Sequence, residues 1–291
     1  MGLTQSEDAP LPHGVLLVVA YDGTEFHGYQ EQPNARTVQG TLAAALAKLE
    51  GRHGRLRGSS RTDSGVHAMA HPVAFGTDRL MPPRGWLMQL NTLLPDDLAV
   101  RAVEPCPPGY DPRFDAVTKL YRYRVHVGYG RDPLRDRISW FLSPSRARKD
   151  VEERSRDVAT WLDVEAMRDA ARRLEGTRDF AAFKAADDPR TNTVRTLRRV
   201  SIEPGFGGET DSLAIEVRGD AFMKNMVRIL AGTLVDVGRG RFAPAHVDHL
   251  LSGKASRAEC GPTAPAQGLV LVEVELGRNG AGDRAETGPT I

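Results

Sequence analysis

The feature that most constrains the fold is an order of elements that comes twice. Residues 14–21 (GVLLVVAY) form a short apolar run rich in β-branched side chains, which reads as a buried strand. Asp22-Gly23 breaks it. Thr37 is placed to cap a helix over 38–50, where Val38, Leu42, Leu46 and Leu49 make an apolar stripe. Strands are expected over 55–60 and 71–75. A second helix, opened by Pro82-Pro83, carries Trp86, Leu87, Leu90, Leu93 and Leu94 and is closed by Pro95. A strand over 98–103 completes β-α-β-β-α-β, a split βαβ arrangement.

The order then returns. Residues 119–127 (KLYRYRVHV) alternate, with Tyr121, Tyr123, Val125 and Val127 on one face. A short strand over 140–142, a helix over 164–174 ending at Gly176, strands over 194–202 and 213–217, helices over 222–237 and 243–251, and a strand over 269–276 follow. No fixed-period repeat accompanies this, so the repeat is one of topology. The expectation is an α+β chain: a leader over 1–12, one half over 13–110, a second over 111–277, and a Gly- and Thr-rich disordered tail over 278–291. The polar stretch 143–160 reads as an exposed, charged insertion in the second half. Two such halves joined edge to edge leave a cleft between them, and pockets favour such interfaces.

Composition excludes several classes. The chain has 291 residues, 40% of them hydrophobic and 26% charged, ordinary for a globular protein. No apolar run approaches the ~20 residues that span a bilayer. The N-terminus, MGLTQSED, is acidic and lacks the regions of a signal peptide, which points to the cytoplasm. Cys106 and Cys260 stand far apart, which argues against a disulfide framework or a cysteine zinc site. Net charge is +1, yet basic residues bunch at Arg52, Arg55, Arg57 and Arg61, at Lys119, Arg122 and Arg124, and at Arg190, Arg195, Arg198 and Arg199. Such clusters either neutralise phosphates or are balanced by nearby acids.

The chemistry centres on residues 58–68 (GSSRTDSGVHA), where Asp63 sits among Arg61, Thr62, Ser64 and His67. Such an acid is either a reactive group or a turn residue bonded to its own backbone. Arg228, at ~100° per residue, projects roughly opposite the face shared by Phe222, Met226, Ile229, Thr233 and Val237. It is either an exposed arginine or a partner that keeps Asp63 ionised across the cleft. Tyr121 is either a core tyrosine or a ring that stacks on a base, a contact worth about 1–3 kcal/mol.

Together these segments resemble the TruA family of tRNA pseudouridine synthases. The family's acid motif is similar to Gly-Arg-Thr-Asp-Ala-Gly-Val-His-Ala, matched over 60–68 with Ser60 and Ser64 in place of Gly and Ala. The opening Tyr21-Asp-Gly-Thr…Phe…Gly…Gln30 pattern, Thr37-Val-Gln-Gly, Lys119-x-Tyr-x-Tyr, Met226-Val-Arg and Thr263-Ala-Pro-x-x-Gly-Leu also resemble the family's, in its order. The resemblance implies a pseudouridine synthase fold, two ferredoxin-like halves with sheets joined around a central cleft. It implies a homodimer acting on tRNA, at uridines 38 to 40 of the anticodon stem-loop, with no cofactor, no metal and no membrane. Asp63 matches the acid that starts glycosidic cleavage, by attack at ribose C1′ or by removing a ribose proton to give a glycal. Tyr121 matches the tyrosine stacked on the target base, which assists proton removal at C5. Arg228 matches the arginine paired with the acid, and Arg61 the one that helps flip the nucleotide out of its stack. Lys119, Asp22, Gln30 and His67 fall in the matched motifs and join Tyr121 and Arg61 as candidate substrate-binding residues; His67 also has a structural reading.

The sequence departs from the family at Tyr29, where Trp is common, and at Gln267, where a histidine often precedes the glycine. Asp187 and Asp188 put two acids beside an expected RNA-facing loop. Two rival readings stand: an RNA-binding module without chemistry, and a metal-dependent phosphodiesterase with Asp22, Asp63 and His67 as ligands.

Overall fold

The apolar run near the N-terminus becomes β1 (His13–Tyr21), hydrogen-bonded on both edges and buried along most of its length. The computed structural model describes residues 11–49, 51–143 and 156–277. The tail over 278–291, all but two residues of the leader and most of the 143–160 insertion lie outside them. The first half continues with α1 (Val38–Leu46), β2 (Arg57–Gly58), β3 (His67–Thr77), α2 (Pro83–Leu93) and β4 (Leu98–Cys106). Thr37 caps α1 as its residue type suggests, its hydroxyl accepting from Gly40 N at 3.2 Å.

The second half holds α3 (Pro112–Asp115), β5 (Ala116–Val127), β6 (Trp140–Leu142), α4 (Val158–Trp161), α5 (Val164–Arg173), β7 (Gly176–Asp179), β8 (Val194–Pro204), β9 (Ser212–Gly219), α6 (Met226–Gly238), α7 (His246–Leu250) and β10 (Leu269–Leu276). The sheet runs β4-β1-β3-β10-β5-β9-β8-β7, with β2 on β3 and β6 on β5. The first half therefore reads β4-β1-β3-β2 and the second β10-β5-β9-β8, the same arrangement of first, second, third and fourth strands. This is the doubled split βαβ topology expected from the order of elements.

The halves meet where β3 and β10 pair in parallel, His67 opposite Val270 and Ala68 opposite Leu271. Further along the same edge of β3, β2 pairs with Val73 and Ala74. The segment 59–66 leaves that edge between β2 and β10, so Asp63 lies at the seam of the two half-sheets. Behind it, α6 is buried all round; Arg228 is its one residue that is not buried. The hydrophobic core is contiguous from Val15 to Leu271.

Several boundaries differ from expectation. The strand expected over 55–60 shrinks to β2, while β3 starts four residues early and takes in His67. The helix expected from 222 begins at Met226, because Asn225 adopts a left-handed conformation (φ 59°) that stops it running further back. α1 ends at Leu46, short of residue 50. The 143–160 insertion is not exposed throughout: Asp157 caps α4, whose Val158 and Trp161 are fully buried. Among the described residues no helix is long and apolar enough to cross a membrane.

Candidate active site

Two loops lock together to position Asp63. Tyr29 N donates to Thr62 O (3.1 Å), Gly65 N to Phe26 O (3.2 Å) and Ser64 Oγ to the same Phe26 oxygen (3.3 Å). Behind them the Tyr21 hydroxyl bridges Thr62 Oγ1 (2.8 Å) and His71 Nδ1 (3.1 Å). Gly28 has φ +92°, and a Cβ there would stand 2.8 Å from Thr62 O, so both conformation and space require glycine. Tyr29, in place of tryptophan, is buried with its ring centroid 4.5 Å from that of His71.

The carboxylate of Asp63 is half-buried and faces the start of α6. Burial pushes its pKa above the ordinary value; the Arg228 and Lys224 charges and the Asn225 N–H pull it down, and Asp187 pushes it up again. Burial wins, although the Arg228 charge acts in favour of the ionised form. The reason is geometric. Arg228 Nε donates to Ala264 O (2.7 Å) and its NH1 to Asn225 Oδ1 (2.9 Å), and among the described residues the two groups form no direct ion pair. Arg228 acts on Asp63 through space, helped by the positive end of α6.

Tyr121 on β5 also faces this acid, whose charge adds to the burial that pushes its hydroxyl up to about 12. Its ring meets Phe222 edge-on, centroids 5.1 Å apart at 83°, and its hydroxyl lies 2.9 Å from Ser60 Oγ. Lys119, two residues earlier on the same strand face, donates to Ser59 O at 2.7 Å. Burial, with Arg113 nearby, lowers it to about 8. The basic cluster on β5 thus splits: Arg122 lies on the opposite face, paired with Glu216 at 2.7 Å and stacked over Phe206.

Arg61 is exposed beside Asp63 and Gln30 is half-buried, so both are open to a ligand. Asp22 and His67 are close neighbours, and each is engaged with the fold. Asp22 Oδ1 accepts from the Thr24 N–H and hydroxyl and lies 3.1 Å from His67 Nδ1. The Gln267 carbonyl, 3.1 Å from His67 Nε2, can only accept, so Nε2 carries the proton and Nδ1 accepts from Gly23 N. His67 therefore clasps the first half to the loop before β10, and Gln267 serves the clasp through its backbone. Among the described residues no three His, Cys, Asp or Glu converge as metal ligands. Sequence reading missed Lys224 and Asn225 as neighbours of Asp63 and Ser60 as a partner of Tyr121. An Asn just ahead of an apolar helical run was the available signal for the first of these sites.

The chain that builds this arrangement, one carboxylate at the seam of a doubled split βαβ sheet with a tyrosine and an arginine converging on it, is similar in sequence to known proteins. A family model described as tRNA pseudouridine synthase matches residues 17–115 and 170–275. The chain belongs to the TruA family of tRNA pseudouridine synthases. It is 42% identical to "tRNA pseudouridine synthase A" of Geobacter sulfurreducens over 262 residues, 90% of this chain and 99% of that relative. A Geotalea uraniireducens relative of the same name is 42% identical over 89% of this chain and 98% of its own. One from Myxococcus xanthus is 40% identical over 94% and 96%. The stretches matched to the TruA family hold Arg61, Asp63 and Arg228, whereas Lys119 and Tyr121 lie between them.

Proposed function

We propose that this chain isomerises uridine to pseudouridine in tRNA, with Asp63 as the group that starts the reaction. The observation that carries this is the convergence of Asp63, Tyr121 and the α6 terminus at the seam of the two half-sheets, in a chain of this family. The exposed Arg61 enters the duplex as the target nucleotide leaves it. Tyr121 presents its ring to the base, and Asp63 breaks the bond between ribose C1′ and uracil N1. The freed uracil turns within the cleft and rejoins C1′ through C5. N1 gains a proton as C5 loses one, so atoms and electrons balance within the substrate and no redox group is called for. Arg228, Lys224 and the Asn225 N–H offset part of the burial that opposes charge on Asp63.

The target positions 38 to 40, the homodimer and the cytoplasmic setting are supported by the family resemblance. So is the division into halves over 13–110 and 111–277, to which the doubled strand order adds support. Lys119, Gln30 and Arg61 line the approach to the base, while Asp22 and His67 act by holding the loop that carries Asp63.

The test is tritium release from tRNA labelled at uridine C5, with a chelator present, for wild type and Asp63→Asn. Forming the new bond expels the C5 hydrogen, so release by wild type and its loss in the variant is the expected result. No release by wild type, with tRNA binding intact, would favour a binding module without chemistry.

A further inference from the structure

A chain of polar contacts links Lys119 to Tyr121 through Ser60. Lys119 Nζ, anchored at 2.7 Å on Ser59 O, stands 3.4 Å from Ser60 Oγ, which in turn lies 2.9 Å from the Tyr121 hydroxyl. Ser60 occupies a position where the family motif has glycine, which offers the phenol no such partner. Serine suits a middle place because its hydroxyl accepts and donates at once. Lys119 forms no ion pair among the described residues. The titratable groups facing it are Arg113 from α3 and His71 from β3, and its register partners on β9 and β10 are Gly219 and Val274. Tyr121 faces Asp63, Tyr21 from β1 and the ring of Phe222.

We infer that Ser60 is a positioning residue for the isomerisation, a hydroxyl bridge through which the Lys119 amine draws the proton of Tyr121 as Tyr121 takes the proton from C5. This rests on the proposed synthase function and assigns the removal of the C5 proton within the same site. A phenol pushed up to about 12 stays protonated at neutral pH, so it accepts a proton only if its own has somewhere to go. A lysine lowered to about 8 is partly neutral there, near the value that suits a general base. The step balances. The C5–H bond breaks as a new Tyr121 O–H bond forms, the old Tyr121 proton moves to Ser60 Oγ, and the Ser60 proton moves to Lys119 Nζ. The electron pair of the C5–H bond restores the ring's C5–C6 double bond, the C6–N1 double-bond pair moves to N1, and N1 takes a proton from solvent. Lys119 leaves as ammonium and returns its proton to solvent.

The experiment is single-turnover isomerisation by the full chain on tRNA carrying protium, deuterium or tritium at uridine C5, from about pH 6.5 to 9. Wild type should speed up through about pH 8. Ser60→Ala should be about tenfold slower at neutral pH, lose that rise and show a primary isotope effect at least as large as that of wild type, with tRNA binding unchanged. Ser60→Thr, which keeps the hydroxyl, should retain the rise. Lys119→Gln keeps a donor for Ser59 O but has no titrating amine, so it should lose the rise even if Ser60→Ala folds poorly. A rise preserved in Ser60→Ala or in Lys119→Gln would overturn the relay. If wild type itself releases no tritium, the synthase reading has failed; if wild type is active and only these profiles stay unchanged, the relay alone has failed.

Discussion

Asp63 is held against its own charge. Burial raises its folded-state pKa above the ordinary value in spite of Arg228, Lys224 and the Asn225 N–H. A carboxyl raised on folding binds its proton more tightly in the folded state than in the unfolded one. Above the folded pKa the ionised group lowers stability by a constant amount, and that cost fades as pH falls through the folded pKa towards the unfolded value. Asp63→Asn, which should abolish tritium release, should therefore raise the melting temperature at pH 7.5. The gain should vanish near pH 3.8. Differential scanning calorimetry at the two pH values checks it; a lower melting temperature for the variant at neutral pH would mean that the site favours the charge. A site that costs stability to keep its reactive group charged is an expected exchange of stability for activity.

Elements rather than residues settle the two acids that depart from the family pattern. Asp188 is buried, and its carboxylate accepts from Lys224 N (2.9 Å), Arg190 N (3.1 Å) and Arg190 Nε (2.9 Å). It ties the loop after the short turn over Ala181–Phe183 to the turn that leads into α6. Burial alone would raise its pKa, but these bonds outweigh it and hold the carboxyl below its ordinary value. Asp188→Ala would leave backbone donors without their acceptor and should cost about 2–3 kcal/mol, read as a lowered denaturant midpoint. Asp187, exposed and paired with Lys224, should cost little when changed to Asn, since solvent screens an exposed ion pair. Equal losses from the two variants would refute this division. The sequence could not separate them, because adjacent acids look alike until the turn before α6 shows which one meets backbone N–H groups. What periodicity does carry is the order of strands and helices, since apolar runs and caps such as Thr37 are local. The two-residue β2, the early start of β3 and the late start of α6 depend on contacts distant in sequence: Ser59 N on Pro72 O, His67 opposite Val270, and the left-handed Asn225 beneath Asp63. Asp63 and Arg228 stood out by motif; Ser60 and Lys224 became visible only once β5 and α6 were brought against the seam.

At the scale of the whole molecule, three histidines buried across both halves give the fold one shared sensitivity to acid. His67, His71 and His126 all have pKa values lowered first of all by burial. His71 is the extreme case, fully buried, lowered to about 3, and repelled further by the Lys119 charge. Its Nε2 accepts from Ser60 N at 3.2 Å, so its proton sits on Nδ1 towards Tyr21, and a second proton would collide with that N–H. A histidine whose folded pKa is depressed is protonated first in the unfolded chain, so stability present above about 6.5 is lost as pH falls towards the folded value. Carboxylates held low, such as Asp22, Asp188 and Asp211, lose their contribution only below their ordinary range. Between pH 6.5 and 5 the histidines therefore set the slope. For His71 alone the linkage gives about 2 kcal/mol over that interval, roughly 4–8 °C in melting temperature. His71→Gln should melt lower than wild type at pH 7.5, since it loses part of the Tyr21–Ser60 bridge, but should lose about 4–8 °C less on acidification to pH 5. If the variant and wild type fall in parallel, His71 is not the buried neutral group that its partners require, and the acid sensitivity belongs to His67 at the seam and His126 beside β6.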